Sequence, residues 1–249
     1  MRLASISAFP LRIPRDSLAA AGTAGSPTSL APGTGSYHWS SVYPCLYSSH
    51  FETTVIRVQL DSGETGWGEA QAPLVPQVSA LLAEELLVPA IVGEPFEPTP
   101  RRISELWWRM YSAMRVRGHT GGFLLDAISG VDIALWDLAG KLTGKPVAHL
   151  LAGDQPLRTR IPAYVSGLSG AGPSERAESA ARFMAEGFSA FKLFYDSAEQ
   201  REFLHLVDAV QAAAGKYARV AIDALWRFTP DQAHAFGREL DARDALWFE

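Results

Sequence analysis

The chain has 249 residues, 47% hydrophobic and 20% charged, which suits a soluble globular protein of one large or two smaller domains. Its formal net charge is −5 with acids and bases interspersed, which argues against a nucleic-acid or membrane-binding surface. The single cysteine, Cys45, excludes an intrachain disulfide framework and fits a reducing, cytoplasmic setting. The N-terminus lacks the uninterrupted apolar core of a signal peptide. The richest apolar stretch, Leu81–Val92, is interrupted by Glu84, Glu85 and Pro89, so no membrane span is expected.

Ala4–Ile13 and Phe51–Leu60 are β-branched, partly alternating runs that predict strands, and Thr65–Ala70 returns as a third after a turn at Asp61–Glu64. Residues 17–49 form a long connection, small and polar first, then aromatic with Tyr37, His38, Trp39, Tyr43 and Tyr47. A loop of this length is either a mobile insert or a substrate lid. Helices are predicted over Val75–Ile91, Arg102–Arg115 and Phe123–Leu142. The last carries Leu124, Ile128, Val131, Leu135 and Leu138 on one face and is ended by Gly144 and Pro146.

Near residue 155 the pattern changes to strict strand–helix alternation. Strands are predicted at Arg160–Val165, Ser189–Tyr195, Arg219–Asp223 and Ala245–Glu249. The intervening helices start near Ser174, at a Ser197/Gln200 capping box, and at Thr229–Gln232, where a cap, a proline and a capping-box partner stand in order. The fold expected is an α+β unit over 1–125, followed over 126–249 by a linker helix and the first part of a parallel α/β barrel that stops after its fourth strand.

In such a barrel, functional groups sit at the C-terminal strand ends. Lys192, Asp223 and Glu249 occupy that position. Adjacent strands are about 5 Å apart, so the two carboxylates can share one ion. All-oxygen ligation favours Mg²⁺ ahead of Mn²⁺ or Ca²⁺. The alternative for Asp223 is a cap or a loop-facing acid. Asp132 and Asp137 lie too far round their helix to share a face and read as structural, through capping or pairing with Lys141 or an arginine.

Ala127–Gly153 (AISGVDIALWDLAGKLTGKPVAHLLAG) resembles the long signature segment of the mandelate racemase/muconate lactonizing group of the enolase superfamily. The match runs through Ala127, Ser129–Asp132, Ala134, Leu135, Asp137, Gly140, Lys141, Pro146 and Val147, with one extra residue, Ala152, before the closing glycine. Gly63–Ala70 resembles the family's capping-domain hairpin and Gly187–Phe194 its second barrel strand. The resemblance implies an α+β capping domain and an enolase-type barrel of which only the first part is present. It implies Mg²⁺ held by Asp223 and Glu249, with a third acidic ligand and the later-strand base lying beyond Glu249. It places His38 and Tyr43 in a specificity loop, where they would contact substrate. It further implies a small carboxylate substrate such as an acid sugar, a homo-oligomer of the complete protein, and removal of a proton next to the carboxylate, the type of site that uses a Lys or His base with Mg²⁺.

Two departures narrow that expectation. The family often carries Lys-x-Lys on its second strand, with the second lysine as base, whereas this chain reads Lys192-Leu193-Phe194. Lys192 is then left to contact the substrate carboxylate or tune local charge. Many relatives read Asp-x-Asn where this chain has Asp223-Ala224-Leu225. A one-base sugar-acid dehydratase is the expected activity. Racemisation, epimerisation or cycloisomerisation, and a non-catalytic homologue that binds an acidic ligand, are the alternatives. The 249 residues alone are expected to bind Mg²⁺ weakly and to be inactive.

Overall fold

A computed structural model describes residues 1–15, 36–40, 45–215 and 217–249. Contacts divide them into two compact units, Met1–Ser40 with Cys45–Arg158, and Thr159–Glu249.

The first unit is built on a three-stranded antiparallel sheet of β1 (Leu3–Pro14), β4 (His50–Leu60) and β5 (Thr65–Ala70), ordered β1-β4-β5. Period-2 alternation sends Ile56, Val58 and Leu60 inward and leaves Phe51, Thr53, Val55 and Arg57 on the opposite face. A small hairpin, β2 (Tyr37–Trp39) with β3 (Leu46–Ser48), lies within the span read as a loop. Residues 17–35 and 41–44 of that loop, Tyr43 included, fall outside the described residues.

The helices of this unit are α1 (Pro76–Leu82), α2 (Val88–Ile91), α3 (Pro100–Arg115), α4 (Phe123–Thr143) and α5 (Val147–Ala152). The single helix expected over Val75–Ile91 is interrupted by a π-helical turn, Ala83–Leu87. Pro89 accounts for a break there, since it has no N–H to donate to the preceding turn. The short α5 was not anticipated. α4 buries Leu124, Ile128, Val131, Leu135 and Leu138 in the core beneath the sheet, each contributing about 1.5–3 kcal/mol. Because of this packing α4 belongs with the N-terminal sheet, and the units divide at Arg158/Thr159 rather than at 125/126.

The second unit alternates β6 (Val165–Ser166), α6 (Pro173–Ala185), β7 (Ala190–Phe194), α7 (Gln200–Ala214), β8 (Arg219–Asp223) and α8 (Pro230–Asp241). The strands form a parallel sheet in the order β6-β7-β8. Two expected strands are shorter than predicted. Over Arg160–Val165 only the last residue enters β6, and Pro162 within that run cannot donate to a ladder. Over Ala245–Glu249 the backbone runs along β8 with a single parallel bridge, Ile222 to Phe248. The N–H groups of Leu246 and Glu249 donate to Val220 and Ile222, at 2.7 and 2.8 Å. The Thr229 capping box forms as read, whereas the Ser197/Gln200 box does not: α7 is preceded by Glu199, which gives no side-chain cap.

Candidate active site at the strand ends

In β7 the alternation places Phe191 and Leu193 in the core beneath the helices and turns Lys192 and Phe194 to the other face. In β8 Val220 and Ile222 enter the same core, and Ala221 and Asp223 face the side of Lys192. Register places Lys192 opposite Ala221 and Phe194 opposite Asp223. Asp223 therefore lies two register pairs beyond Lys192, at the C-terminal end of β8.

All three residues read from the sequence as strand-end groups meet at one point. Lys192 Nζ donates to Glu249 Oε2 at 2.7 Å and pairs with Asp223 Oδ2 at 2.9 Å. Lys192 and Asp223 are buried, while the Glu249 side chain is half exposed. Glu249, then Asp223, raise the Lys192 pKa against the opposing effect of burial, so the ammonium stays protonated. It also lies 5.4 Å from the centre of the Phe194 ring, which accepts a cation on its face but has no atom to accept a proton.

Backbone bonds fix the acids. Glu249 C=O accepts from Ala224 N–H at 2.7 Å, holding it beside β8. Asp223 Oδ1 accepts from Leu225 N–H at 2.9 Å. The next residues turn sharply: Arg227 N–H donates to Ala224 C=O at 3.1 Å, with Leu225 at φ 52° and Trp226 at φ 57°. These are the features of a type I′ turn, usually made with Asn, Asp or Gly. Arg227 then donates to the carbonyl of Tyr195 at 3.0 Å and lies over the Tyr195 ring. Nothing in the local sequence signals this turn, because Leu and Trp disfavour it.

Two carboxylates against one ammonium leave a net negative charge, and the point on which Asp223 Oδ2 and Glu249 Oε2 converge is the Lys192 ammonium itself. By donor chemistry alone, two carboxylates suit a hard cation such as Mg²⁺ and would supply part of its ligand shell. Among the described residues no group of three or more His, Cys, Asp and Glu side chains converges on a shared centre.

His38 lies in the first unit, on β2, with its ring 6.4 Å from that of Tyr47. Its neighbour Tyr37 makes the more extensive contacts. The Tyr37 hydroxyl donates to Glu52 Oε2 at 2.9 Å and accepts from Arg12 and from Val75 N–H. Ser48 donates to the other Glu52 oxygen. Glu52 is a buried carboxylate, and its inward register in β4 was a signal in the sequence that went unread. Asp137 accepts from Trp67 N–H at 2.8 Å and pairs with Lys141, joining α4 to β5. Burial pushes the Asp132 carboxyl upward, with a bond from Trp136 opposing it.

Two family descriptions match most of the chain: "Mandelate racemase / muconate lactonizing enzyme, N-terminal domain" over 46–152 and "Enolase C-terminal domain-like" over 175–249. The chain belongs to the mandelate racemase/muconate lactonizing enzyme group of the enolase superfamily. Among similar proteins of that superfamily, D-galactarolactone cycloisomerase of Agrobacterium fabrum is 32% identical over 199 residues, 78% of this chain and 50% of its own. D-galactonate dehydratase of Xanthomonas oryzae pv. oryzae is 33% identical over 204 residues, again 78% of this chain and 50% of its own. The crystal structure of an enolase-superfamily member from Agrobacterium tumefaciens superposes with a TM-score of 0.81 at 29% identity, covering 99% of this chain and 61% of that one. The fold is thus the capping domain and part of the barrel of this superfamily. The chain spans about half the length of the curated relatives it matches.

Proposed function

We propose that this enolase-superfamily chain contributes Asp223 and Glu249 as Mg²⁺ ligands and Lys192 as a substrate contact to an enzyme that removes the proton next to the carboxylate of an acid sugar, with dehydration as the outcome and with the accepting base supplied by the part of the relatives' length that this chain does not span. The observation that carries the reading is the convergence of Lys192, Asp223 and Glu249 at the strand ends. The relatives named D-galactonate dehydratase support the substrate class. Bound Mg²⁺ would supply positive charge against the substrate carboxylate oxygens. Lys192, held protonated and buried, donates a hydrogen bond to the same carboxylate and stabilises charge that builds there. Phe194 has no basic atom, so a reaction with one base fits better than racemisation with a base on each face. Cycloisomerisation of a sugar lactone is the second reading, favoured by the name of the Agrobacterium fabrum relative.

Calorimetric titration with Mg²⁺ tests the ligand assignment. Asp223→Asn and Glu249→Gln are each expected to weaken binding at least about tenfold, a loss that even outer-sphere partners of a metal produce. Unchanged affinity in both variants, with folding intact by circular dichroism, would overturn it.

A further inference from the structure

Glu52 is a buried carboxylate of the first unit that the proposed reaction does not use. It stands on β4 opposite Arg12 of β1, whose Nε lies 3.5 Å from Glu52 Oε2. Each carboxylate oxygen also takes a hydroxyl: Tyr37 donates to Oε2 at 2.9 Å and Ser48 donates to Oε1 at 2.5 Å. Tyr37 and Ser48 face each other across β2 and β3, so one carboxylate holds both strands of the hairpin. The hairpin has three residue pairs, too few to be stable without such an anchor. Strand alternation then settles its other face. With Tyr37 and Ser48 turned toward Glu52, the next pair, His38 and Tyr47, turns the opposite way.

The Tyr37 hydroxyl does more than reach Glu52. It accepts from Arg12 at 2.5 Å and from Val75 N–H at 3.0 Å, which engages its one proton and both lone pairs. Val75 immediately precedes α1, which has no side-chain cap of its own. Its φ of 49° and ψ of 57° put a β-branched residue in the left-handed region, directly before Pro76. Such a conformation persists where surrounding groups hold it. Two do so here: the Tyr37 hydroxyl takes the Val75 N–H, and Thr54 of β4 donates to the Pro76 carbonyl at 2.6 Å. The docked hairpin and the strained start of the helix thus share one bond.

We infer that Tyr37 is a latch between the hairpin and α1: Glu52 and Arg12 draw it closed, and the strain at Val75 works against it, so the hairpin docks and releases together with the start of the helix. The latch itself does not depend on the proposed reaction. Its consequence, that docking fixes where His38 stands for a substrate, rests on that reading. Amide hydrogen exchange of the 249-residue chain tests the latch without substrate or Mg²⁺, so its failure is distinct from failure of the proposed reaction. The reporters are Ser40 N–H, bonded to the Cys45 carbonyl at 3.0 Å, and Ser49 N–H, bonded to the Ser36 carbonyl at 2.9 Å. Tyr37→Phe is expected to speed their exchange at least about tenfold, with exchange in α4 and the denaturation midpoint unchanged. Val75→Gly, which removes the strain, is expected to slow their exchange about tenfold in the native chain and not at all in the Tyr37→Phe background. Reporter exchange indifferent to Tyr37→Phe would overturn the inference, as would equal acceleration in α4. So would an effect of Val75→Gly that is the same in both backgrounds.

Discussion

Leu225 holds the left-handed region immediately after a proposed metal ligand, and Trp226 holds it as well. For a residue with a branched or bulky side chain this conformation costs about 1–2 kcal/mol. Strain of this kind collects where surrounding structure fixes the backbone for another purpose. Here the purpose is visible: the turn brings Leu225 N–H back to Asp223 Oδ1 and orients that carboxylate toward Lys192. Relatives with Asn at the equivalent position of Asp-x-Asn would meet the same turn at lower cost, because Asn tolerates positive φ. Leu225→Asn is therefore expected to raise stability by about 1 kcal/mol, a rise in Tm of roughly 2–4 °C for a chain of this size. A fall in Tm on differential scanning calorimetry would show that Leu225 contributes packing worth more than the strain. Asp223 and Glu249 were legible as acids closing apolar runs. That Lys192 bridges both was not legible, because a side chain's direction at a strand end depends on the neighbouring strand. His38 and Tyr43 were placed in a specificity loop by the resemblance; Tyr43 lies outside the described residues, and beside His38 it is Tyr37 that hydrogen-bonds Glu52 and Val75 N–H.

The long α4 and the hairpin strand β5 resemble the family in sequence because they touch through backbone. A Cβ at Gly66 would lie 2.0 Å from the carbonyl oxygen of Ala134, and one at Gly68 would lie 2.1 Å from that of Gly130. Only glycine on β5 permits this approach, and Gly130 and Ala134 complete it from the helix. Asp137 and Lys141 then bind the exposed edge of β5 through Trp67 N–H and Thr65 C=O. Gly68→Ala is expected to destabilise the first unit by about 1–3 kcal/mol, since the obstacle is helix backbone and cannot rotate aside. Chemical denaturation measures it, and a change under about 0.5 kcal/mol would mean that helix and strand separate at little cost. The regular parts of these segments followed from periodicity. The irregular parts did not: the π turn before Pro89, the short α5 and the two abbreviated strands depend on which backbone groups find partners across the fold.

The two units have separate cores. One is built around Leu135, Ile56 and Leu106, the other around Phe191, Phe203 and Phe236. No helix among the described residues is long and apolar enough to cross a membrane. The proposed metal ligands all belong to the second unit. Ligand binding stabilises the structure that forms its site. Adding Mg²⁺ is therefore expected to slow amide hydrogen exchange in β7, β8 and the segment ending at Glu249. Unaltered exchange there at saturating Mg²⁺ would place the ion elsewhere.

Periodicity and punctuation alone established two strand–helix patterns, the apolar face of α4, and acids at two successive strand ends. Those features arise from residues close in sequence, where side-chain period and backbone preference act directly. The signature segment and its hairpin established the family. Tertiary structure decided that α4 belongs with the N-terminal sheet, that Lys192 joins Asp223 to Glu249, and that Tyr37 reaches Arg12, Glu52 and Val75. Each of these outcomes is set by contacts between residues far apart in the chain, and no local preference specifies which distant groups meet.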